Sequence, residues 1–525
     1  MKKILLILLV FITNACERDF NQLLEIENPN TFTTQEFWKT EDDIDKGLVA
    51  VYNMYYKQGT WTRNMYTLLD GNGDDGTSKA GWTELQEWAK FNYTNYDFFE
   101  VGIKIWNEHY KAIFRANQVL DNIDNVSFAD EDKRTAIKGQ LYFLRAFYYF
   151  YLEILWEDVP LVLKTSSADD YPQQLPAEQV WAQIESDLKM AAERLPNQWD
   201  PANFGRPTKG AALALLGKTY MQQHKWQEAK DAFYWLVEGD GKVYYDLVNN
   251  YEDNFLNTKE YNKESVFEIQ FSEVYPTGYD DDFLSTSQLG TQHAINASPK
   301  GLGWNNIQAS RWLIDYYKRE KTIEGKNDTR LFVNLWYDKR KTDFPEQTDF
   351  LIYGRQWTSD PTWGTQVFIR KYSSKLSGTE TEFYWNDINF RLIRYADVLL
   401  CYSEILNELN NGPSPLAITC VNRVRERAKL PKLENSTYYT DASILTDKNS
   451  FLKHLQIERG LELALECVRW IDLKRWGMLD NQAGIDELKI RDKDFNNFVI
   501  GKSHRLPIPQ SDVDNNPNLK QNVPY

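Results

Sequence analysis

Asp70, Asp74 and Asp75 fall within the stretch DGNGDDG (70–76), a density of carboxylates suited to gathering round a calcium ion. An EF-hand loop needs glycine at its sixth place and glutamate at its twelfth; counted from Asp70, those places hold Asp75 and Gly81. This is therefore not an EF-hand. A looser calcium site, here or at Asp280–Asp282, is the most that the acidic segments allow, and no other cofactor is expected. The histidines (His109, His224, His293, His454, His504) are scattered, with no two at the spacing of H-E-x-x-H. No strand–G-x-S-x-G–helix turn and no Walker lysine loop is present, so catalysis has no sequence signature.

Cys16 has a different chemistry. Lys2 and Lys3 precede an apolar run, Ile4 to Ile12, and the cysteine follows in FITNACERDF. A basic start, a short apolar core and a small residue before a break form a secretory signal over 1–15. The run is far short of the roughly 20 apolar residues of a membrane-spanning helix. Cleavage before Cys16 would free an N-terminal cysteine whose thiol can carry a lipid. Thr13-Asn14-Ala15-Cys16 resembles a relaxed lipobox without its usual leucine, and Glu17 and Asp19 resemble sorting tags for the outer face of the cell. Cys401, Cys420 and Cys467 are too few for a disulfide framework in an exported chain of 525 residues. Cys401 and Cys420 would pair only if their helices form a hairpin; buried thiols are the expected state.

The net charge of −16 excludes nucleic acid as partner, because phosphate binding needs clustered Lys and Arg. A hydrophobic content of 42% supplies ample core. The elements that must position any site are mostly helices. Between 42 and 56, Ile44, Leu48, Val51, Tyr52 and Tyr55 form a helical stripe, and 104–124 and 130–156 behave alike. In LYFLRAFYYFYLEILW apolar residues cover nearly the whole circumference, which predicts burial on most sides. Residues 207–237 match most of a tetratricopeptide repeat: Leu216-Gly217 then Tyr220, and Ala229 then Phe233. Residues 391–428 read as a second copy, with a Gly412-Pro413 turn between its helices.

Two stretches break this texture. Residues 70–99 are irregular, and 240–390 are rich in Gly, Asn, Asp and Trp with strand-like pieces such as SVFEIQF and QVFIRKY. Long loops on a helical scaffold are where binding usually resides. The expected architecture is mainly α, about four tetratricopeptide-like helical pairs with a loop-rich, short-strand insertion. It is organised as one body over 16–525: a helical half over about 30–240 with its binding loop at 70–99, the insertion over about 241–390, and a C-terminal helical part over about 391–525.

The segment ERGLELALECVRWIDLKRWG (458–477) resembles the signature helix of the SusD/RagB family, and RLIRYADVLLCYSEILNE (391–408) resembles its L-I-R-Y-A-E-V-L-L helix. LYFLRAFYYF with EDVPLVL, GRPTKGAALALLGKTY and the ending IPQSDVDNNPNLKQNVPY match in the same order. Gly460, Cys467 and the Val523-Pro524-Tyr525 ending depart slightly from the family's pattern. The resemblance implies a non-catalytic, lipid-anchored binding protein on the extracellular face of the outer membrane. Cys16 would hold it as a lid over a SusC-like TonB-dependent transporter, to which it passes glycans or, in some branches, peptides. Arg469, Asp472 and Arg475, at helical spacing, read as ion-pairing residues that stitch helices together, not as ligand contacts.

Glycan binders of this family commonly use an arc of aromatic rings, since sugar C–H faces stack on rings while hydroxyls take hydrogen bonds. Trp82 and Trp88, with Tyr93 and Tyr96 behind them, and Trp304, Trp357 and Trp363 sit among Gly, Ser, Asp and Asn and are the candidate rings. Trp106, Trp181 and Trp226 lie on helical patterns and belong to the core. Arg63, Asn72 and Asp74 are candidate hydrogen-bonding partners through their nearness to the first loop. The alternatives are a peptide-binding lid of the same transporter type and, from other classes, a glycoside hydrolase with unmarked carboxylates or a helical-repeat scaffold for proteins.

Overall fold

The computed structural model describes residues 37–78, 81–92, 99–167, 169–272, 289–373, 382 and 386–525. Cys16, Tyr93, Tyr96 and Asp280–Asp282 lie outside them. Helix α1 (Glu41–Tyr52) starts on a capping box in which Thr40 and Asp43 exchange side-chain-to-backbone bonds, and buries Ile44, Leu48 and Val51. After a short π-type turn (Gln58–Thr62) come α2 (Asn64–Asn72) and α3 (Thr83–Ala89). Helices α4 (Glu100–Asn122) and α5 (Glu131–Trp156) follow, and from Gly139 to Trp156 nearly every residue except Tyr142 is buried, as the all-round apolar pattern requires.

The array continues through α6 (Ala177–Arg194), α7 (Lys209–Gln222) and α8 (Trp226–Val237), each packed on its predecessor. A Cβ at Gly217 would overlap the Phe233 ring, so glycine is what allows α7 and α8 to close on each other. After the insertion, α9 (Tyr395–Leu409) packs on α8, and α10 (Pro415–Arg427) and α11 (Lys448–Glu462) pack on α9. With α1 against α4, α5 against α6, α7 against α8 and α9 against α10, four helical pairs share one continuous apolar core. Among the described residues no helix is long and apolar enough to cross a membrane.

The repeat survives its long insertion because strand Ser265–Ile269 pairs antiparallel with Phe390–Arg394, bringing the two ends together at Ile269 and Phe390. Residues 391–394, expected to be helical, are the second strand of this ladder, and α9 starts only at Tyr395. The reason is long-range: buried Arg391 reaches Glu268 across the ladder (3.1 Å) and donates to the Asn254 carbonyl, contacts that the extended backbone permits. Cys401, Cys420 and Cys467 are free and buried.

The signature segment differs from the expected single helix. It is α11, then an irregular turn with Leu465 and Cys467 in the left-handed region (φ 58° and 62°), then α12 (Arg469–Arg475). Its charged residues do stitch helices. Arg459 reaches Asp472 and Asp397 (2.7 and 2.9 Å), and Arg475 pairs with Glu404 on α9 (2.9 Å). Glu462 receives Arg394 (2.6 Å), Arg330 (3.0 Å) and Arg427, while Glu466 receives Lys371 and Arg394 (2.6 and 2.7 Å). Their charged side chains are all buried, so each charge depends on its partner in place of water.

Candidate functional site

Arg63 ends the π-type turn and begins α2, with φ −147° and ψ −60°. Its guanidinium carbon lies 4.0 Å from the centre of the Trp82 ring and 5.1 Å from that of Trp304. Both indoles are half-buried. Residues from three distant parts of the sequence thus meet at one cation, within the distance at which a ring face attracts it.

Each member is held by its own element. Trp82 stands at the N-terminus of α3, and Glu84 in the first turn accepts the Val101 N–H (3.1 Å). Burial raises the Glu84 carboxyl above its ordinary range, against the pull of that bond toward the anion. Trp304 is fixed through its backbone, its N–H donating to the Ile295 carbonyl (2.7 Å). A Cβ at the preceding Gly303 would press on that carbonyl at 2.5 Å, so glycine permits the approach. Asn306 donates to Asn296 (2.7 Å), and Asn296 to the hydroxyl of Tyr66 on α2 (3.2 Å), one turn beyond Arg63. Glu84, Tyr66, Asn296 and Asn306 were not among the sequence candidates. Isolated amides, one acid and one phenol carry no periodic signal.

The other candidates stand elsewhere. Trp88 is 3% exposed and stacks on Phe99 at 4.1 Å, and Trp363 is 1% exposed in a small core with Leu302, Trp336, Ile352, Tyr353 and Phe368. This corrects the expectation of open ring faces at both: Trp88 is on the inner side of α3, and the 352–368 segment folds over its own aromatics. Trp357 is half-buried against that core, its ring 5.7 Å from Trp363 and its N–H on the Gly364 carbonyl (3.2 Å). Trp106 and Trp181 are core residues, as expected, and Trp226 packs on the core edge.

Asp74 and Asn72 also move from the site to the interior. Asn72 is buried at the end of α2. Asp74 is fully buried and binds Arg469 (3.0 Å) and Arg491 (2.9 Å); burial alone would raise its carboxyl, but the two guanidiniums outweigh it and hold it at about 2. Asp75 accepts the Leu465 N–H (2.9 Å) and Asp70 the Cys467 N–H (2.8 Å), the two left-handed residues of the signature turn. Burial and neighbouring acidic charge raise both carboxyls. The acidic segment is thus a clamp on the signature turn. It continues into the short pairing of Gly76–Thr77 with Gln308–Ala309, which ties the Trp304 loop to the same base.

Chemically, the Arg63 cluster brings two half-buried indoles to one planar guanidinium. That suits a flat, weakly apolar surface edged with acceptors. Glu84 accepts the Val101 N–H.

The comparisons bear on the fold. A family model described as "SusD family" matches residues 263–525, and one described as "Starch-binding associating with outer membrane" matches 22–221. "SusD-like protein P2" of Formosa agariphila is 27% identical over 95% of this chain and 95% of its own. A SusD superfamily protein from Bacteroides vulgatus superposes with a TM-score of 0.79 over 93% of this chain and 100% of its own, at 24% identity. A laminarin-binding SusD-like protein superposes with a TM-score of 0.72 over the same shares, at 25% identity. With a helical array, a signature turn and a matched region that runs over half its length, this chain belongs to the SusD family.

Proposed function

We propose that this protein is a non-catalytic, lipid-anchored lid at the outer face of the outer membrane. It captures oligosaccharide between Trp82 and Trp304 and passes it to a TonB-dependent transporter. One observation carries the binding step: a single guanidinium, Arg63, stands 4.0 and 5.1 Å from two half-buried indoles supplied by separate loops. Rings give the C–H faces of a sugar a stacking surface, and the guanidinium gives its hydroxyls donors. The laminarin-binding relative at 25% identity supports a glucan-type ligand, and the description of the N-terminal family model supports the outer-membrane location.

The test is calorimetric titration of the protein with a panel of neutral oligosaccharides, followed by assay of the best ligand for new reducing ends. Saturable binding without product is expected; protein-dependent product would overturn the non-catalytic reading. For the anchor, Cys16→Ala is expected to leave the protein exported but free of the membrane fraction, since a lipid contributes about 0.8 kcal/mol per buried CH₂. Retention of the variant in outer membranes lacking the transporter would refute lipidation at Cys16.

A further inference from the structure

A second concavity shares no lining residue with the Arg63 cluster. It is a cleft of about 1000 Å³ between α1, the first turns of α5 and the loop 194–206 that leaves α6, at the upper end of the size of small-molecule sites. Its rings are Tyr52, Tyr56 and Trp199, half-buried, and Phe204, which is 41% exposed. Trp199 is fixed by its N–H on the Pro207 carbonyl (2.8 Å), and Phe204 leans on Tyr261 at 5.1 Å between ring centres. Between the rings stand the amides of Gln140, Gln198, Gln270 and Asn203. Tyr55, buried, also lines the cleft, and its hydroxyl has no hydrogen-bond partner among the described residues.

Two of the cations that line the cleft are held by carboxylates, Lys133 by Asp45 (2.7 Å) and Arg194 by Glu193 (3.3 Å), while Arg206 donates to the neutral amide of Gln140 (3.3 Å) with its guanidinium 5.8 Å from the Trp199 ring. Asp130 and Asp200 accept backbone N–H groups of their own turns (2.9 Å each). A neutral, polyhydroxylated ligand meets the ring faces and amides of this lining directly and leaves the Lys133 and Arg194 pairs in place.

We propose that this cleft is a second binding site for a neutral oligosaccharide segment, on the same body as the Arg63 site. The inference rests on the glycan reading of the first site for its ligand class. Two sites on one body would hold a long chain more tightly than either holds a short one, by effective concentration and with no new contact.

The test titrates the protein and four variants with laminarihexaose, cellohexaose, maltohexaose, xylohexaose and mannohexaose. The variants are Trp82→Ala/Trp304→Ala, the same pair with Phe204→Ala added, Phe204→Ala alone and Gln270→Ala alone; the last two replace exposed side chains, and thermal melts verify that all stay folded. The expected result is a binding event that persists in the Trp82→Ala/Trp304→Ala protein and is weakened about tenfold when Phe204→Ala is added, as the loss of a stacking ring predicts. Gln270→Ala should weaken the same event less. Binding abolished by Trp82→Ala/Trp304→Ala and untouched by Phe204→Ala and Gln270→Ala would overturn the second site and leave the first standing. Binding lost only through Phe204→Ala would support the cleft and overturn the Arg63 site. No binding of any hexasaccharide to the unaltered protein would overturn both.

Discussion

The segments 70–76 and 81–90 lie close together in the chain and are both polar in sequence, yet they do opposite work. Asp70, Asp74 and Asp75 point inward and hold the turn between α11 and α12, through two backbone N–H groups and two guanidiniums. A few residues on, Trp82 keeps a half-buried ring at Arg63, while Trp88 on the same helix is sealed against Phe99. The most polar residues are the most buried, and a large apolar ring stays partly in solvent. Local composition therefore does not separate clamp from site. What separates them is the partner each side chain finds across the fold: a buried acid needs cations or N–H donors, and a ring at the surface needs something to stack upon.

The largest effect that would break this comparison belongs to the clamp. Asp74→Asn removes the charge that Arg469 and Arg491 share, and loss of one partner of a buried ion pair costs about 3–5 kcal/mol. Denaturant unfolding measures it, and a loss under ~1 kcal/mol would mean the clamp is dispensable. The same variant carries a pH signature. Because the Asp74 carboxyl is held at about 2, below its ordinary 3.8, its contribution is full above that ordinary value and fades as the pH falls toward about 2. The gap between the unaltered protein and Asp74→Asn should close over that window. A gap that stays constant down to its lower end would show that the ion pairs do not set it.

Trp88→Ala comes next, at roughly 3 kcal/mol of stability for the loss of a buried ring, and its effect on glycan affinity should follow only from unfolding. If the folded fraction of Trp88→Ala binds markedly more weakly, the ring reaches ligand and the division between the two faces of α3 fails. The smallest expected change is the one that sharpens the comparison: Trp82→Ala or Trp304→Ala should weaken binding by about 1–3 kcal/mol, by analogy with base stacking on aromatics. Their midpoints of unfolding should stay close to that of the unaltered protein, since substitutions away from buried features are usually within about ±0.5 kcal/mol. Equal affinity in both variants would remove the indole pair from the site.

The helical array and the ion-pairing role of Arg469, Asp472 and Arg475 were legible in the sequence. Periodic apolar residues report which face of a helix is buried, and Leu216-Gly217 with Phe233 reports a close helix crossing, because both are short-range patterns. The sequence also placed Trp82 and Trp304 among the candidates, from ring type and surrounding loop residues, and Arg63 from its nearness to the first loop, without distinguishing them from Trp88, Trp363 and Asp74. Only the tertiary structure made that distinction. Asp74 is buried because Arg469 and Arg491 arrive from the far end of the chain, and residues 391–394 are a strand because Ser265–Ile269 lies beside them. Arg63 draws two indoles together because Asn306 and Asn296 fasten the Trp304 loop to Tyr66 on α2. Contacts between residues so far apart in sequence leave no local period, and the energy of each depends on a partner that only the folded chain supplies.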